Sequence, residues 1–406
     1  MERRVVITGM GIWSCLGNTL DEVRDALYKG KSGIVFSEER KGLGFRSALC
    51  AKLEHPDLKP FVSRNLRQFM PEEAQYAYMA TRAALADAKL EQDYIDQHEV
   101  GIIYGNDSVA EATMHALDKF REFHDTSACG SGAIFQSMNS TVTMNLACLF
   151  RLKGINLTAS AACASGSHAV GLAYLLIRNG LQDCIVCGGA QEANLYSVAA
   201  FDGIQSFSVR EDMPEKASRP FDRDRDGLVP GGGAATVVVE SYEHAVKRGA
   251  PILAEIVSWG FSGNGNHIST PNIEGPARSL ELCLKNGNVQ PEQIGYINAH
   301  ATSTRIGDAR EAQAIAQVFG GLSVPVTSTK SQTGHEMWMA GASELIYSIL
   351  MMKNDFIAGN INFENPDEDT ACIHVLPETK ETHFDMFLSN SFGFGGTNST
   401  LIVKNL

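Results

Sequence analysis

Val100-Gly101-Ile102-Ile103-Tyr104 and Ile294-Gly295-Tyr296-Ile297-Asn298 stand far apart in the chain, yet each closes the same succession of elements. Thr81-Arg82-Ala83-Ala84-Leu85 precedes the first across an acidic linker; Ala277-Arg278-Ser279-Leu280 precedes the second across Pro291-Glu292-Gln293. Helix, loop and strand recur in order, the mark of an internal repeat. Farther on, Leu157-Thr158-Ala159-Ser160 before Cys163 matches Val326-Thr327-Ser328-Thr329 before Lys330, and a helix follows in both places. About fifty residues separate the matched strands in the first half and about thirty in the second, so the first carries an insertion around 106–150. Other β-branched runs (Val5–Thr8, Cys184–Cys187, Ala235–Glu240, Ile252–Val257) alternate with segments of helical periodicity (77–88, 169–177, 309–319, 343–352), which implies α/β layers. The expectation is two related α/β halves, 1–250 and 251–406, with a site where they meet.

The chain has 406 residues, beyond the roughly 250–300 at which single cores stop growing. Its 34 Lys+Arg against 47 Asp+Glu give a net charge of −13, which argues against a general nucleic-acid binder. No apolar run approaches the roughly 18–20 residues that span a bilayer, so no membrane association is expected. Nine scattered cysteines, an odd number in a long chain, do not make a secreted disulfide framework, and a reducing cytoplasm is the expected location.

Cys163 lies in Ala159-Ser160-Ala161-Ala162-Cys163-Ala164-Ser165-Gly166-Ser167, between a predicted strand and a predicted helix. Small residues let the backbone bend tightly there. A helix N-terminus lowers a thiol's pKa and can hold an oxyanion, so a nucleophile is expected; the plain alternative is a structural cysteine, the reading for the other eight. Two histidines lie in polar loops at predicted strand ends, His300 in Asn298-Ala299-His300-Ala301-Thr302-Ser303-Thr304 and His335 five residues after Lys330. The remaining histidines, His168 included, read as surface or packing residues. Asn390-Ser391-Phe392-Gly393-Phe394-Gly395-Gly396-Thr397-Asn398 is too Gly-rich for a strand interior and could offer bare backbone N–H groups to a substrate.

Taken together, these motifs, with Gly307-Asp308 after the His300 loop, Gly334-His335 after Lys330, Arg219-Pro220-Phe221-Asp222 and Arg225-Asp226-Gly227, resemble the β-ketoacyl-acyl carrier protein synthases over the whole chain. The pattern is most similar to the type I synthases of bacterial type II systems. The resemblance implies a thiolase-like fold, two pseudo-symmetric halves in a layered α-β-α-β-α core. It implies that Cys163 takes the acyl chain from acyl carrier protein, and that His300 and His335 polarise the malonyl thioester and assist loss of its carboxylate. In the family, Lys330 supports the histidines, the amides of Cys163 and Phe394 form the oxyanion hole, and Thr302 and Thr304 bind the phosphopantetheine arm. Phe392 and Phe394 border the substrate, Phe394 as a gate, and Asp107 and Ser108 fall where relatives line the far end of the acyl tunnel. Glu344, Asn298, Ser389 and Asn390 match a network that holds a monovalent cation in some members; no other cofactor is implied. The implied partners are acyl carrier protein and a second copy of the chain.

Several residues depart from the family pattern. Glu336-Met337-Trp338-Met339 puts bulky residues after His335 where small ones are usual, and Trp338 reads as core filling that could also reshape the pocket. A carboxylate at Asp107 disfavours a simple long alkyl chain. A polyene or aryl-polyene ketosynthase and a non-catalytic chain-length partner are therefore the alternatives to fatty-acid elongation; the partner reading is weakened by the presence of Cys163, His300, Lys330 and His335. Three other signals are set aside. Asp222-x-Asp224-x-Asp226 has Gly233 where a calcium loop needs glutamate; Gly9-x-Gly11 lacks the third glycine of a dinucleotide fingerprint; Cys184 and Cys187 face opposite sides of a strand. Lys59, Arg64, Arg67, Lys119 and Arg121 are candidate local cations for an acidic carrier.

Overall fold

In the computed structural model, which describes residues 3–406, eleven strands form one mixed sheet. They are β1 (Val5–Trp13), β2 (Gly101–Gly105), β3 (Asn156–Ala159), β4 (Cys184–Gln191), β5 (Gly233–Ser241), β6 (Ala254–Gly263), β7 (Tyr296–Asn298), β8 (Pro325–Thr327), β9 (His374–Val375), β10 (Met386–Gly393) and β11 (Thr397–Lys404). Their spatial order is β9-β8-β7-β10-β11-β6-β1-β5-β4-β2-β3. Outward from the central β1/β6 pair, the pairings run antiparallel, antiparallel, parallel, parallel in both directions. The repeat read in the sequence is thus a repeat of strand topology. The halves join through a short antiparallel ladder in which Val5, Val6 and Ile7 face Ile256, Glu255 and Ala254.

Eight helices bear on the site: α1 (Glu72–Asp87), α2 (Glu111–Phe123), α3 (Thr141–Phe150), α4 (Ser165–Arg178), α5 (Leu195–Gly203), α6 (Glu274–Gly287), α7 (Arg305–Phe319) and α8 (Ala340–Lys353). α4 and α8 pack between the two halves of the sheet, α4 touching β2, β4 and β11 and α8 touching β5 and β10. α1 covers the outer face of one half against β1 and β5, and α6 covers the other against β6 and β11. The expected five layers are present, with the two sheet layers hydrogen-bonded into one. A helix buried on both sides must be apolar all round, and Ala340 through Met352 of α8 are all buried. α2 and α3 lie in the β2-to-β3 connection, the insertion that β7-to-β8 lacks.

The glycines of β1 serve the close approach of a helix. A Cβ at Gly9 would come within 2.3 Å of the Ala84 carbonyl oxygen, and one at Gly11 within 2.1 Å of that of Ala80, so α1 sits directly on the strand. Cys184 and Cys187 are buried on opposite faces of β4, one toward α1 and the other toward the central helices. One expectation is corrected. Asn390–Gly393 and Thr397–Asn398 belong to strands β10 and β11, and only Phe394–Gly396 leave the hairpin. Pairing of Asn390 with Thr400 and of Phe392 with Asn398 outweighs the low strand propensity of glycine and asparagine.

Candidate active site

Cys163 sits in a single 3-10 turn, Ala162–Ala164, between β3 and the first residue of α4. The turn is strained: Ala162 has φ +46°, a left-handed conformation worth roughly 1–3 kcal/mol in a residue with a side chain. It is held by Ser165, whose Oγ accepts from the Ala161 N–H at 2.9 Å and donates to the Ala162 carbonyl at 2.7 Å. The thiol is 6 % exposed, and the backbone N–H groups of Cys163 and Phe394 both act on its sulfur. Two N–H donors acting on one sulfur favour negative charge at that point. The expected lowering of the thiol pKa does not occur: burial pushes it up to about 12, Asp107 adds to the rise, and Lys330 and the two N–H groups oppose it. In this buried setting desolvation outweighs the helix terminus.

The other half supplies the imidazoles. The rings of His300, just past β7, and His335 lie 5.3 Å apart and nearly perpendicular at 87°. Burial, reinforced by Lys330, drives both pKa values well below the ordinary histidine value, so both are neutral at pH 7. The Met337 N–H donates to His335 Nδ1 at 3.3 Å, which leaves the ring proton on Nε2. His300 Nδ1 has no partner, and its ring borders Phe392 at 5.8 Å. Lys330 is ion-paired with Glu344, both 1 % exposed; burial raises the Glu344 carboxyl to about 7 despite that pairing.

The loop carrying His300 is held by carboxylates that sequence reasoning did not assign. Glu311, on α7, accepts from the N–H groups of His300 (2.9 Å) and Ala301 (2.7 Å) and from Asn390 Nδ2 (3.0 Å). Asp308, one turn earlier, accepts from the N–H groups of Thr302 (3.0 Å) and Phe221 (2.9 Å), faces Arg225 at 3.7 Å, and is raised by burial to about 7. Arg225 also bonds the carbonyls of Thr304 (3.3 Å) and Arg305 (2.8 Å), so the Arg219–Gly227 motif is a strap for this loop. Asp222 is taken up by Arg219 Nε at 3.0 Å and by the N–H groups of Asp224, Glu364 and Asn365. The signal available was two acids one turn apart in one helical stretch, Asp308 and Glu311, beginning just after a histidine loop.

Thr302 and Thr304 lie side by side with their hydroxyls 3.1 Å apart; Phe394, just past the end of β10, is 41 % exposed, and Phe392 is the second-last residue of that strand. Asp107 accepts a short hydrogen bond from Ser160, three residues before Cys163, and its charge adds to the rise of the Cys163 pKa, while Ser108 is exposed. Asn298 Nδ2 donates to the Glu344 carbonyl (3.3 Å) and Ser348 Oγ (3.0 Å), leaving Asn298 Oδ1 and Glu344 Oε2 buried without partners. Two orphaned oxygens in one network fit a monovalent cation. Ser389 is buried on β10 next to Asn390, which turns to Glu311 and Thr400.

Trp338 is buried as expected, 4 % exposed, in a cluster with Cys163, Val198, Phe207, Leu228 and Met337. Its indole N–H has no acceptor, a state that costs roughly 1–3 kcal/mol. A cleft of about 1160 Å³ lies elsewhere: it is lined by Glu72, Glu111, His55, His115 and Tyr196, and by none of Cys163, His300, Lys330 and His335.

A buried thiol acted on by two N–H groups and a pair of neutral imidazoles, carried at strand ends in the two halves of a duplicated α/β fold, are groups that a condensing enzyme uses. The comparisons agree. Residues 2–245 match the N-terminal domain model of the β-ketoacyl synthases and residues 253–364 the C-terminal domain model, and the chain belongs to that family, whose fold is that of the thiolases. It is 41 % identical to the 3-oxoacyl-[acyl-carrier-protein] synthase 1 of Haemophilus influenzae over 99 % of each chain. A β-ketoacyl synthase from Burkholderia phymatum superposes with a TM-score of 0.94 at 36 % identity, covering all of both chains. A type II polyketide ketosynthase, solved with its acyl carrier protein and a bound hexaketide, superposes with a TM-score of 0.90 at 28 % identity, again over both whole chains.

Proposed function

We infer that the protein is a 3-oxoacyl-[acyl-carrier-protein] synthase, which extends an acyl thioester by two carbons with malonyl-acyl carrier protein in fatty-acid synthesis. The observation that carries this reading is that Cys163 shares a buried cluster with Met337, whose N–H donates to His335 Nδ1 at 3.3 Å, and that the His335 ring lies 5.3 Å from that of His300. The Cys163 sulfur adds to the acyl thioester carbonyl; the phosphopantetheine thiolate leaves and takes the thiol's proton. Malonyl thioester then enters, its carbonyl oxygen facing the imidazole N–H groups. The bond to its carboxylate breaks, CO₂ leaves, and the electron pair becomes an enolate held by those donors. The enolate carbon attacks the acyl-Cys163 carbonyl, whose oxygen is stabilised by the two backbone N–H groups. Collapse expels the Cys163 thiolate, which regains a proton, and releases a 3-oxoacyl chain on acyl carrier protein.

Lys330 keeps the imidazoles neutral, and Thr302 and Thr304 meet the phosphopantetheine arm. Asn298 and Glu344 would hold a monovalent cation, which would supply fixed positive charge to that network. No helix among the described residues is long and apolar enough to cross a membrane, and a cytoplasmic location is part of this reading. So is a homodimer. β3 is the unpaired edge of the sheet and exposes Leu157, with Ile134, Phe135 and Met138 exposed in the adjoining insertion, a surface suited to two-fold strand pairing.

The test is turnover: acyl-acyl carrier protein plus malonyl-acyl carrier protein should yield CO₂ and a product two carbons longer. Wild-type protein that accepts an acyl group yet never condenses it, or that works only beside a second ketosynthase chain, would contradict this and favour a chain-length partner.

A further inference from the structure

Trp338 is a donor without an acceptor, seated beside the nucleophile by a rigid and costly turn. Glu336 clamps that turn to α8, accepting from Ser343 Oγ at 2.5 Å and Tyr347 OH at 2.9 Å, and Met337 has φ +47°. The backbone of the turn lies against two glycines: a Cβ at Gly189 would reach 2.6 Å from the Trp338 carbonyl oxygen, and one at Gly166 3.0 Å. A buried N–H left unpaired in such a well-held place calls for an explanation outside the folded chain.

Around it runs a row of aromatic rings. Phe394, 41 % exposed, stacks on Phe201 at 6.3 Å and 18°; Phe201 stacks on Phe207 at 6.5 Å and 11°; the Trp338 ring is 6.1 Å from Phe201 and tilted by 52°. Phe207 and Trp338 share the cluster that contains Cys163, and Phe201 packs against it. We propose that Trp338 is a specificity-determining residue that selects a flat, conjugated acyl chain for Cys163, its ring and N–H meeting the chain's π system beside Phe201. Offset stacking rewards a planar chain beyond the area it buries, and a rigid chain loses less rotational freedom than a saturated one. The N–H contact to a π face is the smaller part. Asp107, hydrogen-bonded to Ser160 and acting by its charge on Cys163, adds polarity near the nucleophile that suits an alkyl chain less.

The inference rests on Cys163 being the acylated nucleophile. Hexanoyl, 2,4-hexadienoyl and 3-hydroxyhexanoyl groups, each on acyl carrier protein, are offered to wild type, Trp338→Phe and Trp338→Leu, and the rate of acylation is read by intact mass. In wild type the dienoyl group should load about fivefold faster than hexanoyl. The ratio should fall to about one in Trp338→Leu and to an intermediate value in Trp338→Phe. A wild-type ratio of one, a ratio unmoved by Trp338→Leu, or a preference for 3-hydroxyhexanoyl would overturn the proposal. Should the leucine variant not fold, Trp338→Phe, which keeps a ring of similar shape, decides alone, and an unchanged ratio overturns it. Loading from no donor at all would instead strike the synthase reading itself and take this inference with it.

Discussion

At the scale of single residues, the site works through the form in which each group is held. Cys163 rests as a thiol because burial and Asp107 outweigh Lys330 and two N–H groups. Replacing Asp107 by Asn removes a charge that opposes the thiolate, so alkylation of Cys163 by iodoacetamide at pH 8 should accelerate several-fold; an unchanged rate would show that Asp107 does not act on the sulfur. The imidazoles are neutral because both pKa values lie well below the ordinary value, and protonation removes that form only as pH falls through those lowered values. Decarboxylation of malonyl-acyl carrier protein by Cys163→Ala should therefore stay level from pH 8 down to pH 6, measured as CO₂ release. A fall centred near 6.5 would mean solvent-exposed, ordinary histidines. The nucleophile and both histidines were legible in the sequence because each stands in a loop of small or polar residues at a strand end. Glu311 was not, because an acid on a helix looks like any solvated one until the fold buries it under His300.

At the scale of elements, carboxylates at the start of α7 position the His300 loop. Glu311→Gln turns one acceptor into a donor facing an N–H of the loop, that of Ala301 or that of His300, so the His300 loop should shift. We expect kcat for condensation to fall about ten- to a hundredfold with the rate of Cys163 acylation little changed, a split that general destabilisation would not give. Arg225→Met leaves Asp308 buried without its partner charge and should cost about 3–5 kcal/mol, read as a lowered denaturation midpoint. The strand and helix cores were readable from periodicity, whereas the hairpin of β10 and β11 was not. Its glycines and asparagines argue for a loop, and only pairing across the hairpin, invisible in a linear reading, makes Asn390–Gly393 a strand.

At the scale of the whole molecule, duplication sets the geometry. Each half places a functional loop where its parallel strands β2 and β3, or β7 and β8, end, and the β1/β6 ladder turns these loops toward one another. The repeat was visible in sequence because helix, loop and strand recur in order; the joining of both halves into one sheet was not, since three residue pairs carry it. Leu157→Lys places charge on the edge strand β3 and should convert the proposed dimer to monomer in analytical ultracentrifugation; a mass unchanged from wild type at dimer weight would remove β3 from the interface. The central claim is that Cys163 carries the acyl chain between the two halves. Intact mass of wild type and Cys163→Ala after incubation with acyl-acyl carrier protein tests it most directly. The account predicts one acyl group on wild type, mapped to Cys163, and none on the variant; an acyl group that persists on Cys163→Ala would contradict it.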